Sequence, residues 1–269
     1  MTTLALAVLL LAPASAQETV DARVTAVKGE VTLYTAANPD GVAAEADVPL
    51  EQGDRLVTGA GATAEIGIDG GSVISIAENS DFTLKDARPS STVLELSLGS
   101  LLAKIKKLAA GEALEVHSPA AVAAVRGTEF GVDVAEGQET HVGVFDEGQV
   151  EVKAQGATSM LSANQETRVA RGMAPERAQA LRRFLQRRAF MRRQIRARMR
   201  TMAQRWRAMP PEQRRQARLA AMERMKKMRL QRRERVKDRL QQRIQKRMQD
   251  RQERQERLRE RRQQREENQ

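Results

Sequence analysis

The sequence predicts an all-β domain, a sandwich or short β-roll, followed by a long, partly disordered α-helical region. Three observations carry this expectation. Apolar residues alternate in short runs from Val20 to Val169, the alternation stops near Gly172, and the charge changes sign at the same place. Residues 1–175 hold 12 Lys and Arg against 24 Asp and Glu, net −12, whereas residues 176–269 hold 34 against 11, net +23. The formal charge of +11 for the 269 residues therefore describes neither part.

Residues 1–16 form a short apolar run that closes on Ala14-Ser15-Ala16, the small-x-small pattern of a signal peptidase site. Cleavage after Ala16 is expected, giving a periplasmic or secreted chain from Gln17. No Lys or Arg precedes the run, so its positive start is the α-amine alone. No later segment holds the ~18 to 20 apolar residues of a membrane span. The absence of cysteine excludes a disulfide framework, thiolate metal sites, a Cys nucleophile and a lipid-anchored Cys.

From residue 17 to 172 the pattern is that of half-buried strands. Ala64, Ile66 and Ile68, then Ile74 and Ile76, flank Asp69-Gly70-Gly71, a hairpin signal, because glycine tolerates positive φ. Alternation recurs at Leu94, Leu96 and Leu98, at Phe130, Val132 and Val134, and at Val142 and Val144; Val150 and Val152 follow a Glu147-Gly148 turn.

Four stretches in this order, Val27 to Leu33, Gln52 to Gly59, Ala64 to Ile76 and above all Val116 to Val132, resemble the FecR domain. Thr140 to Val152 and Leu161 to Gly172 resemble its closing strands, so the likeness covers roughly residues 24–172. The resemblance implies an extracytoplasmic β domain of the kind found in regulators that relay a signal from an outer-membrane receptor to a cytoplasmic sigma factor. Those regulators place a cytoplasmic helical segment and a transmembrane helix before the domain, where this sequence reads as a signal peptide. The family motif falls on Arg126, Gly127, Thr128, Glu129 and Phe130. Its residues have a structural reading: Gly127 makes a turn or bulge, Phe130 enters the core, and Arg126 and Glu129 pair or face water.

The third region, 173–269, reads as basic and Met/Arg-rich helix. Ala174-Pro175-Glu176 has the features of a helix start, with proline in the first turn and an acid at the positive dipole end. Leu181, Phe184 or Leu185, Met191, Ile195, Met199, Met202, Trp206 and Met209 follow at three- and four-residue steps. Met209-Pro210-Pro211 breaks the helix, since proline cannot continue the hydrogen-bond ladder. A second stripe runs through Leu219, Met222, Met225, Val236, Leu240, Ile244 and Met248. Met191, Ile195, Met202, Trp206, Met222, Leu240 and Ile244 are the candidate helix-packing residues, in a hairpin, a rod, a coiled coil between chains or, towards the end, a disordered tail.

No catalytic residues, cofactor or metal emerge. Met222, Met225 and Met228 would suit soft Cu(I), but Lys226 and Lys227 stand among them and the stripe continues in Leu and Ile, so packing is the reading. His117, His141 and Ser118 form no recognisable nucleophile arrangement, and there is no phosphate loop. The expectation is a non-enzymatic module of the cell envelope. Arg192, Arg193, Arg196, Arg214, Arg215, Arg232 and Arg233 are the candidate contacts to an anionic envelope component or protein partner. The tethered opposite charges also favour docking of the tail on its own β domain. An envelope signalling regulator is the alternative function. A nucleic-acid-binding protein is the other, and export argues against it.

Overall fold

The computed structural model describes residues 19–69, 71–190, 193, 195–198, 212, 213, 216, 219–221, 223, 224 and 227. The predicted signal peptide lies outside them, as do Met191, Arg192, Met202, Trp206, the Met209 to Pro211 break, Arg214, Arg215, Met222, Arg232, Arg233, Leu240 and Ile244. The chain divides into two compact units, 1–214 and 215–269. In the second, Gln216, Leu219 to Ala221, Glu223, Arg224 and Lys227 are helical.

The first unit is built from strands, in chain order β1 (Ala22–Lys28), β2 (Val31–Thr35), β3 (Asn38–Ala43), β4 (Pro49–Leu50), β5 (Arg55–Thr58), β6 (Thr63–Ile68), β7 (Ser72–Ile76), β8 (Asp81–Arg88) and β9 (Ser91–Lys104). There follow β10 (Leu114–His117), β11 (Val122–Val125), β12 (Glu129–Val134), β13 (Thr140–Val144), β14 (Gln149–Ala154), β15 (Ala157–Ser162), β16 (Gln165–Val169) and β17 (Gln179–Ala180). A short helix, α1 (Leu185–Phe190), comes after them.

Two sheets share one long strand. The first runs β4-β1-β6-β7-β9-β12-β13-β16-β17. The second runs β3-β2-β5-β8-β9-β10-β11-β14-β15, with β9 and β10 parallel and its other neighbours antiparallel. The early part of β9 pairs with β8 up to Leu98, and its later part pairs with β7 and β12 from Gly99 to Lys104. Gly99 is the corner: its φ is +88°, and a Cβ there would stand 2.2 Å from Ser80 Oγ and 2.5 Å from Ser80 Cα. Only glycine lets the strand turn from one sheet into the other so close to its neighbour.

The alternating residues fill the core. Leu33, Leu56, Phe82, Leu84, Leu94 and Leu96 of the second sheet are buried, as are Ile66, Ile74, Ile76, Phe130 and Val144 of the first. Burying each such side chain contributes roughly 1.5 to 3 kcal/mol before conformational entropy is charged against it. The hairpin expected around Asp69 is β6 and β7, with Asp69 itself at φ 48°.

The chain does not become helical at Pro175. Glu176 N–H donates to Arg168 O at 2.9 Å, the Thr167 hydroxyl donates to Glu176 O at 2.7 Å, and Leu181 N–H donates to Asn164 O at 2.9 Å. These backbone groups bond to β16 and its turn, so β17 extends the first sheet and the helix begins only at Leu185. Proline and an acid suit a helix start locally, but an available sheet edge offers the same backbone groups partners at once.

Candidate functional site

Strand alternation gives the first sheet two faces. On β12, Phe130, Val132 and Val134 point to the core, which leaves Glu129, Gly131 and Asp133 on the opposite face, yet all six residues are buried. The cover comes from residues 181–190 and 195–198. Leu181, Phe184 and Ile195 form one buried cluster with Val73, Leu102 and Phe145 of the sheet and its margin. Of the two alternatives at the helix start, Phe184 is buried and Leu185 exposed.

A glycine pair makes room for this cover. Gly131 and Gly143 are direct cross-strand partners. A Cβ on Gly131 would lie 2.8 Å from Phe184 Cε1, and one on Gly143 would lie 2.6 Å from Phe184 Cδ2. The ring therefore sits in a notch that any larger residue would fill. It meets Phe145 edge to face, with centroids 6.1 Å apart, and Arg187 lies over it at 5.5 Å.

Around the notch each described arginine that faces the sheet meets an acid. Arg183 Nε donates to Asp133 at 3.0 Å, and its backbone N–H donates to Glu166 at 3.1 Å. Arg187 pairs with the other Asp133 oxygen and donates to Ser100 Oγ at 2.7 Å. Arg188 pairs with Asp146 at 2.5 Å, and Arg198 with Glu65 at 2.7 Å. Arg196 donates to both oxygens of Glu129, each at 2.6 Å, and reaches Asp146 at 3.0 Å.

Glu129 is the centre of the network. Its side chain is fully buried, and Lys104 Nζ donates to it at 2.6 Å from within the sheet. Burial pushes its carboxyl up, but the hydrogen bonds from Arg196 and Lys104 outweigh that and leave it below its ordinary value. The Arg196 guanidinium is held above its own by Glu129. The carboxylate therefore stays ionised inside the sheet–segment interface.

The motif residues divide between two surfaces. Arg126 is exposed on the far side of the turn, Gly127 turns with φ +68°, Thr128 is buried with its hydroxyl donating to Glu147 O, and Phe130 enters the core. Glu129 neither pairs with Arg126 nor faces water, because strand alternation turns it under the arginine segment. Of the candidate anion contacts, Arg196 is engaged internally and Arg193 is exposed. Of the candidate packing residues, Ile195 is buried on the sheet. Sequence reading missed Glu65, Asp133, Asp146, Glu166 and the glycine notch. Its usable signal was Glu129-x-Gly131-x-Asp133, polar or small residues at the strand period, beside Arg183 and Arg187 four apart on the segment.

The two histidines sit against strand neighbours, His117 at 2.8 Å from Glu115 and His141 at 2.6 Å from Glu139. Among the described residues no group of three or more His, Asp or Glu is placed to hold a metal ion, and no helix is long and apolar enough to cross a membrane.

Residues 54–151 match the family model for the FecR protein, a span that includes Glu129, Asp133 and Asp146. No curated protein matches the chain. Two crystal structures of a candidate anti-sigma factor from Parabacteroides distasonis, at 1.65 and 2.50 Å, are similar to it. Each shows 16% identity and a TM-score of 0.43, over 48% of this chain and 61% of the other. The chain thus spans less than two thirds of those relatives.

Proposed function

We propose that this chain is a non-enzymatic signalling regulator of the cell envelope. Its FecR-type β domain, residues 17–172, is a protein-docking platform, and the segment that follows is the platform's resident occupant. Export by the N-terminal signal places both outside the cytoplasm, where a protein partner displaces the segment and so changes the state that is read.

The observation that supports this reading most is the arginine-covered acidic face. A passive scaffold has no need to cover its own binding face, and a tail evolved only to reach distant polyanions would leave its arginines outward. Here Arg183, Arg187, Arg188, Arg196 and Arg198 are already matched to Asp133, Asp146, Glu129 and Glu65. The tether makes such docking intramolecular, so modest pair energies suffice to hold it and a partner with better complementarity suffices to break it. Arg193, which is exposed, is left for an acidic partner surface or an anionic envelope component.

The test compares strains carrying the wild-type chain and R187E/R196E, with release of the segment verified by limited proteolysis. A coherent change in transcript levels is expected on release. An unchanged profile with the segment demonstrably free, seen also with the independent releasing variant G143A, would leave only a scaffold.

A further inference from the structure

Strand register fixes the layout of the face beneath the arginine segment. Glu166 of β16 pairs with Gly143 of β13, Gly143 with Gly131 of β12, Gly131 with Leu102 of β9, Leu102 with Ser75 of β7, and Ser75 with Glu65 of β6. One row therefore carries a carboxylate at each end and the glycine notch between them. Five strand spacings separate the ends by roughly 24 Å, the reach of about seven extended residues. Along β12, Glu129 and Asp133 stand two residues to either side of Gly131, roughly 7 Å away in each direction.

The charges of this face do not cancel without the segment. Glu65, Glu129, Asp133, Asp146 and Glu166 all meet it. From the β domain, Lys104 is shared between Glu129 and Glu147, Arg168 between Glu139 and Glu176, and Arg23 pairs with Asp21. Acids remain in excess even with the exposed Lys28 of β1 counted. The balance is supplied by Arg183, Arg187, Arg188, Arg196 and Arg198. The acids and the notch stand on paired strands, whereas α1 is six residues long, buries none of them and is too short to hold a helix alone. A partner therefore reads the fixed face and not the released segment.

We infer that the protein partner displaces the segment in kind, with a basic peptide segment whose aromatic side chain enters the notch at Gly131 and Gly143 while cations to either side take Asp133 and Glu129. The inference rests on the reading of this face as a docking platform. A ring fits because Phe184 lies against both glycines and meets Phe145 edge to face. Several cations are needed because the acids lie apart, and a lone amine would meet only one of them.

The probe is acetyl-Leu-Ala-Arg-(para-fluoro-Phe)-Ala-Ala-Arg-Arg-amide, followed by its fluorine resonance against the full-length chain. F184A vacates the notch and G143A fills it. Saturable binding to F184A is expected, at least tenfold weaker with F184A/G143A and at least tenfold weaker when the peptide arginines are replaced by glutamine. In the wild-type chain the peptide should speed amide exchange of residues 182–190 at least tenfold, a measurement that serves if F184A does not fold. If those amides stay protected in F184A and in G143A without peptide, the docking-platform reading falls and the inference with it. If they exchange freely but the peptide binds F184A no better than F184A/G143A, or no better than its glutamine counterpart does, the partner chemistry alone is overturned. Faster exchange in the wild-type chain with acetyl-Leu-Ala-Glu-Phe-Ala-Ala-Glu-Glu-amide and not with the arginine peptide overturns it in favour of a partner that captures the arginines.

Discussion

Glu129 and Arg196, 67 positions apart in sequence, meet as a two-pronged pair with both nitrogen–oxygen distances at 2.6 Å. The carboxylate is fully buried, whereas the guanidinium keeps about a third of its exposure. Lys104 approaches the same carboxylate from β9. A buried charge survives only with such partners, so the pair fixes where the arginine segment can sit.

Removing the two partners should therefore have unequal effects. Arg196→Gln leaves Glu129 with Lys104 and water reaches the vacated site, so a loss of about 1 to 2 kcal/mol is expected. Lys104→Met leaves the inner side of the carboxylate without a donor and should cost more, about 2 to 4 kcal/mol. Because the folded value of Glu129 is depressed, its contribution is present above the ordinary carboxylate range and is lost as pH falls through the lowered value. Urea unfolding of both variants at pH 3 and pH 7 checks this: each difference from wild type should shrink at pH 3.

Asp54 works in the opposite direction. It is 5% exposed, and burial raises its carboxyl to about 7. Glu51 N–H donates to it at 2.8 Å, a bond that an amide oxygen can also accept. A raised folded value means stability that is full below the unfolded value and is lost as pH rises through about 7. The full shift corresponds to roughly 4 kcal/mol, an upper bound. Asp54→Asn is expected to match wild type at pH 3, below the unfolded value, and to exceed it by about 1 to 3 kcal/mol at pH 8.5. Equal pH dependence of the two unfolding curves would show that Asp54 ionises without penalty.

How much of this was legible in the sequence depended on how local each cause is. Strand period and turn glycines act over a few residues, so the hairpin at Asp69 and the core position of Phe130 could be read directly. Glu129 could not, because its partners come from β9 and from a basic segment whose charge favoured docking on the β domain without saying which residues would meet. Local helix signals at Pro175 lost to the open edge of β16, a competitor visible only once the sheet is assembled. The notch at Gly131 and Gly143 was hidden for the same reason: two glycines in separate strands acquire meaning only through their register.

The corner at Gly99 should be the least replaceable glycine of the β domain. Gly99→Ala combines φ +88° with a Cβ 2.5 Å from the Ser80 backbone, and Ser80 is itself held by hydrogen bonds with Thr58 and Ser100 that a retreat would break. A loss above about 3 kcal/mol is expected. Gly111 has nearly the same φ, +84°, with nothing within 4 Å of its missing Cβ. Gly111→Ala should thus cost only the conformational strain, about 1 to 2 kcal/mol. Thermal melts of the two variants separate crowding from backbone conformation.

Gly143→Ala tests whether the arginine segment is a cover or part of the core. Its Cβ would intrude on Phe184 at 2.6 Å and on Leu181 at 2.9 Å, both side chains of the covering segment. The β13 backbone itself need not move, since the added methyl points away from Val142 and Val144. If the segment is a cover, it lifts: overpacking of about 1 to 3 kcal/mol falls on the docking equilibrium and not on the sandwich. Trypsin should then cut within residues 182–198 at least tenfold faster than in wild type, while the main unfolding transition moves little. The partly exposed Arg183 and Arg188 pairs give a second lever, because salt screens their solvent-facing side over about 8 Å at physiological strength. Raising salt should speed cleavage in both proteins, and more steeply in wild type, where those pairs are intact. Concerted loss of the β transition with Gly143→Ala would instead make residues 181–198 an integral layer of the fold, and displacement by a partner would then demand unfolding of the domain.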